Sequence, residues 1–272
     1  MKKENMILGQ VSKEALLCAK ENLKMRKASI DFDTLGRTLA YSPYLPRIRA
    51  DFFARQMQNE AQNDVSQIKT SISKEQTQHY TSFASSCPQD SHYLPKIAKR
   101  IILESHIEGS SLLYECAKLE ENAPGNFDAY MLDFIPQYTS SRAHLQEHML
   151  LLESISLLRR HSTLPIIYAD IFLESYQILE SALFGADMLF IPAAPIEGKT
   201  LKELLHFAWR LECDVIVAVS NKNELKKAIF SGATMLFIPQ DYFKELLSLV
   251  PNTQIIATNH PDEYGVDVWI RD

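Results

Sequence analysis

The chain has 272 residues, 46% of them apolar, and a formal net charge of −6. That length suits a single α/β barrel, and the apolar content is enough for a large core. Mild acidity without a lysine/arginine stripe sets nucleic-acid binding aside, and no run reaches the ~18 apolar residues of a membrane span.

The N-terminus, Met1-Lys2-Lys3-Glu4-Asn5, has no long apolar segment or small-residue cleavage site. It therefore reads as a cytoplasmic chain without a secretory signal. Cys18, Cys87, Cys116 and Cys213 are scattered without a C-x-x-C pair, which fits reduced thiols. Residues 11–27 predict an amphipathic helix with Val11, Ala15, Leu16, Ala19 and Leu23 on one side. Pro43 and Pro46 fix an extended segment. Residues 51–60 predict a second helix, and Val65 to Lys69 a first strand. Residues 70–92, rich in Ser, Thr and Gln, read as a polar insert, and Leu94 to Glu121 has helical periodicity.

Ala129 to Phe134 predicts a strand, Gln146 to His161 a helix, and Leu164 to Ala169 the next strand. The pattern then becomes regular. Gly185-Ala186-Asp187-Met188-Leu189-Phe190-Ile191-Pro192 recurs as Gly232-Ala233-Thr234-Met235-Leu236-Phe237-Ile238-Pro239. Each copy follows a helical segment, with Gly positioned to end the helix and Pro to stop the strand. Four consecutive apolar residues suit a strand buried on both faces. Further strands follow at 214–219, 254–258 and 266–270, with helices at 200–212, 223–231 and 242–249 between them. The total of eight strands predicts a (β/α)8 barrel. Residues 1–60 form its N-terminal helical extension, and 61–272 the barrel with its insert at about 70–92. Only His260-Pro261-Asp262-Glu263-Tyr264 separates the last two strands, so the barrel is expected to be abbreviated at its C-terminal end.

Eight glycines in 272 residues is under half the usual ~7%. Neither G-x-G-x-x-G nor a P-loop occurs, so the chain has few places for a glycine-lined phosphate cradle. Asp133, Asp170, Asp241 and His260 lie at predicted strand ends without a metal-ligand spacing. No metal and no cofactor is expected.

Two separated segments carry a family resemblance. Thr34-Leu35-Gly36-Arg37-Thr38-Leu39-Ala40-Tyr41-Ser42-Pro43-Tyr44-Leu45-Pro46-Arg47 is similar to the "LGRSLAxNPxxPR" lead-in of indole-3-glycerol-phosphate synthase, a (β/α)8 lyase of tryptophan biosynthesis. Leu164-Pro165-Ile166-Ile167-Tyr168-Ala169-Asp170-Ile171 resembles that family's "LPVLRKDF". The resemblance implies decarboxylating closure of an indole ring by a Lys general acid, a second Lys, Glu residues as base and orienters, and a phosphate nest. It also implies which of these groups are gone. The family's "ExKxxSPSxG" reads Gln67-Ile68-Lys69-Thr70-Ser71-Ile72-Ser73, so Gln67 replaces the Glu, Lys69 is a relic, and Ser71 is a remaining substrate contact. The catalytic Lys of "RKDF" becomes Ala169, beside a retained Asp170, and the Glu of "LVEVH" becomes Ala218. Pro239 and Asp241 replace an Asn and an Arg. Thr258-Asn259-His260 replaces the "ESG" of the phosphate turn, leaving Asn259 as a substrate-binding candidate. The resemblance thus implies a pseudoenzyme, an indole-3-glycerol-phosphate synthase relative that has lost lyase activity. A partner protein is expected on the flank near Trp269, which no following helix covers. The alternatives are a working synthase that uses displaced residues, or a different reaction at the re-lined mouth.

Overall fold

A computed structural model describes residues 8–42, 44–47, 99–104, 109–122, 127–138, 145–260 and 266–271. Helices α1 (Lys13–Ser29) and α2 (Phe32–Leu39) lead the chain. The first is capped by Ser12, whose hydroxyl accepts from the Ala15 N–H, and the second by Asp31, whose carboxylate accepts from the Thr34 N–H. The barrel then runs β1 (Lys99–Glu104), α3 (Gly109–Asn122), β2 (Ala129–Asp133), a short 3-10 helix (Ile135–Tyr138) and α4 (Leu145–His161). It continues β3 (Ile166–Ala169), α5 (Ser175–Phe184), β4 (Met188–Pro192), α6 (Gly198–Arg210) and β5 (Asp214–Ala218). The last elements are α7 (Lys222–Ser231), β6 (Met235–Ile238), α8 (Gln240–Leu247), β7 (Ile255–Thr258) and β8 (Val268–Arg271).

These eight strands, all parallel, close into a barrel in chain order. Closure is set by β8 against β1, with Lys99 opposite Val268 and Ile102 opposite Arg271. The repeated sentence in the sequence is a repeated structure. Gly185 and Gly232 end α5 and α7 at φ 93° and 92°, the left-handed conformation that glycine takes at no steric cost. The strands that follow, β4 and β6, are buried at every residue.

The barrel's first strand differs from the sequence expectation. The periodicity over Leu94 to Glu121 breaks at a strand, β1, followed by α3. Ile101-Ile102-Leu103 is the same unalternating apolar signature as in β4 and β6, placed behind two basic residues. Because β1 pairs with both β2 and β8, the closed sheet has no place for a first strand at Val65 to Lys69. That stretch, the helix at 51–60 and the polar insert at 70–92 lie outside the described residues.

Strand alternation separates two cores. Outward residues such as Tyr130, Leu132, Leu189, Val217 and Leu236 pack beneath the helices. Inward residues such as Met131, Ile167, Met188, Ile216 and Met235 fill the barrel. The N-terminal helices run along one side of this cylinder. Ala15 and Ala19 of α1 sit on Ile135, Tyr138 and Ile171, at the ends where β2 and β3 exit. Leu23 and Leu35 then pack on Tyr176 and Leu179 of α5. At the opposite end, just before β4, Arg47 makes backbone and guanidinium bonds to the buried Asp187 carboxylate, which Arg159 also holds at 2.6 Å. The second copy of the repeat has Thr234 here, and it is exposed.

Candidate active site

In parallel barrels, chemistry gathers where the strands end. On β3 and β5 that position is alanine. Ala169 and Ala218, both buried, point into the barrel and belong to one apolar cluster with Met131, Phe190 and Phe237. The Phe190 and Phe237 rings meet edge to face at 5.2 Å. A methyl group has no proton to give or accept, so neither position supplies acid or base.

The lumen above these alanines is occupied by the chain itself. Leu8 is only 7% exposed and packs in the same interior cluster. Gly9 follows at φ 80°. A Cβ on Gly9 would lie 2.8 Å from the Ala218 Cβ and 3.3 Å from the Phe190 ring. No side chain fits there. Sequence reasoning missed this contact. Its one local signal was a glycine, in a glycine-poor chain, shortly before the Ser12 cap.

Asp133 ends β2 and continues the inward series Ala129, Met131. Its carboxylate accepts from the Ile135 N–H at 3.0 Å. Burial pushes its pKa up to about 7, and the nearby Asp170 charge adds to the rise. Asp170, though adjacent to Ala169, faces the opposite way. It accepts the Tyr168 hydroxyl at 2.6 Å and the Ile171 N–H at 2.7 Å, which fixes the exit of β3. Between α1 and α5 lies a second polar group, the buried ion pair of Arg26 and Glu180. Burial raises the Glu180 pKa, outweighing the attraction of Arg26.

The remaining sequence candidates do not converge on the mouth. Asn259 caps α8, its side-chain oxygen accepting from the Gln240 N–H at 2.9 Å. The Thr258 hydroxyl donates to the Ile238 carbonyl at 2.6 Å, and His260 lies against the Phe243 ring. Asp241 is exposed on the first turn of α8. Gln67, Lys69 and Ser71 lie outside the described residues, and the strand on which their roles were read is not the barrel's first. That strand ends instead at Glu104, opposite Leu132 on β2. Among the described residues, no three His, Cys, Asp or Glu side chains gather as a metal site. No helix among them is long and apolar enough to cross a membrane. Trp209, on α6, is 71% exposed. Trp269 is half-buried against the outer core, with the Arg271 guanidinium over its ring at 5.4 Å.

Comparison with known proteins adds a likeness. Residues 151–260 match the family described as indole-3-glycerol phosphate synthase. The indole-3-glycerol phosphate synthase of Campylobacter curvus is 29% identical over 262 residues, covering 93% of this chain and 83% of its own length. That of Campylobacter jejuni is 27% identical over 271 residues, covering 92% and 89%. The Sulfurimonas denitrificans enzyme of the same name is 32% identical over 116 residues, covering 39% and 44%.

Proposed function

We propose that this chain is a member of the indole-3-glycerol phosphate synthase family that has lost the lyase reaction and serves as a binding or scaffold protein. The observation that carries the reading is the pair Ala169 and Ala218, two methyl groups facing a lumen of Phe190, Phe237 and Leu8. In the family pattern these positions hold a lysine acid and a glutamate. Losing one such group costs ~10²–10⁴ in rate, and the two act on the same substrate. Among the described residues, Thr258 and Asn259 at the phosphate-turn position turn their side chains to the backbone of β6 and α8.

The same reading takes residues 1–60 as an extension that buttresses the barrel, and the barrel as abbreviated between β7 and β8, where only residues 259–267 intervene. It places a protein partner, not nucleic acid, on the flank around Trp269, and the chain in the cytoplasm. Incubation with the carboxyphenylamino-deoxyribulose phosphate substrate, read by indole fluorescence, tests the loss of chemistry. We expect no turnover above a heat-killed control, and clear turnover would overturn the reading. The scaffold part requires a partner that the natural chain retains and Trp269→Glu loses.

One observation favours a second reading. Asp133 stands at a strand end with a pKa of about 7, the range of a general acid–base group. A different reaction at the re-lined mouth would use it.

A further inference from the structure

We propose that Leu8 and Gly9 form a built-in plug, an autoinhibitory contact that keeps the barrel mouth closed. Three observations converge on it. First, Leu8 is buried in the interior cluster of the barrel rather than among the N-terminal helices, although only four residues separate it from the start of α1. Second, the Gly9 backbone comes so close to Ala218 and Phe190 that a single added carbon has no room. Third, the strand-end residues beneath the plug are the small ones. A side chain longer than alanine at 218 and the Leu8–Gly9 turn compete for one volume. Loss of the large polar residue on β5 and entry of the N-terminal turn are therefore two sides of one exchange.

The plug has a short leash. Ser12 caps α1 through the Ala15 N–H, and α1 is fixed to α5 by the buried Arg26–Glu180 pair and by the Tyr176 hydroxyl donating to the Arg26 and Ile30 carbonyls. Access to the lumen is thus coupled to the seating of α1. The closure is hydrophobic. Leu8 seals by apolar contact, so a charge at position 8 opens the mouth, while glycine at 9 sets how closely the backbone can approach.

Two measurements on the full chain test this. In the unaltered protein, nuclear Overhauser contacts are expected from the Gly9 α-protons to the Ala218 methyl and the Phe190 ring. Their absence overturns the proposal. In an Ala169→Cys background, maleimide labelling located by peptide mass spectrometry is expected to be slow at position 169, as it is at the buried Cys213. Adding Leu8→Asp should speed labelling at 169 by at least tenfold and leave Cys213 unchanged. Fast labelling at 169 with Leu8 in place, or no acceleration with Leu8→Asp while Cys213 stays protected, also overturns it. If Leu8→Asp exposes Cys213 as well, the Overhauser contacts of the unaltered chain decide alone. The plug goes beyond the loss of lyase activity and stands or falls separately. A plugged barrel that still turns over, and an open one that does not, are distinguishable outcomes.

Discussion

Asn22 illustrates how single residues resist the general pattern. Its side chain is fully buried on α1, and among the described residues neither amide atom has a hydrogen-bond partner. A buried amide in that state costs ~1–3 kcal/mol. Asn22→Leu, similar in volume, should therefore raise the unfolding free energy by about 1 kcal/mol or more in denaturant titration. Asp133 gives a pH signature. Its folded pKa lies near 7, above the ordinary 3.8, so the folded chain holds a proton that the unfolded chain has released. The stability from that proton is fully present below the unfolded pKa and is lost as pH rises through about 7. Relative to Asp133→Asn, which keeps an oxygen for the Ile135 N–H, the natural chain should lose up to about 1.4 kcal/mol per pH unit between roughly pH 4 and pH 7. Equal slopes for the two proteins would remove Asp133 from the account. The alanines at 169 and 218 drew notice in the sequence only through the family resemblance of the segments that hold them, since no local pattern marks a strand-end alanine. Leu8 was not legible, since its contact lies some two hundred residues away in the chain and nothing local announces it.

Among the elements, the repeated helix–glycine–strand unit was readable because its signals are local. Glycine takes the left-handed turn at 185 and 232, and an apolar run follows. The first strand was not readable. Its three apolar residues sit within a longer stretch whose spacing also fits a helix, and the choice is made by pairing with β2 and β8 rather than by propensity. The attachment of α1 supplies a prediction at this scale. Arg26 and Glu180 are both buried, so removing Arg26 leaves the Glu180 carboxyl buried without its cation. Arg26→Ala should cost about 3–5 kcal/mol, whereas Arg26→Met with Glu180→Leu together should lie close to the natural chain. Stability changes that simply add in the double variant would contradict a coupled pair.

For the whole molecule, the N-terminal segment acts as a strap from one end of the cylinder to the other. It begins in the mouth at Leu8, crosses the exits of β2 and β3, follows α5, and is clamped before β4 by Arg47 on Asp187. Asp187→Ala leaves Arg159, itself largely buried, without its partner, and should destabilise the fold by about 3 kcal/mol. Limited proteolysis should then release the N-terminal segment sooner than it cuts the barrel. On the proposed reading, scaffold and site follow different constraints. Caps, strand cores and clamp define the cylinder among the described residues, while the strand-end residues of β3 and β5 are methyl groups, that of β5 against the chain's own turn.

The most direct test of that central claim is calorimetric titration of the full-length protein with indole-3-glycerol phosphate. A lumen filled by Leu8, Phe190 and Phe237 and lacking an anion cradle should give no saturable heat. Saturable binding at one site per chain, abolished by Phe190→Asp, would show an open and competent mouth and contradict the account.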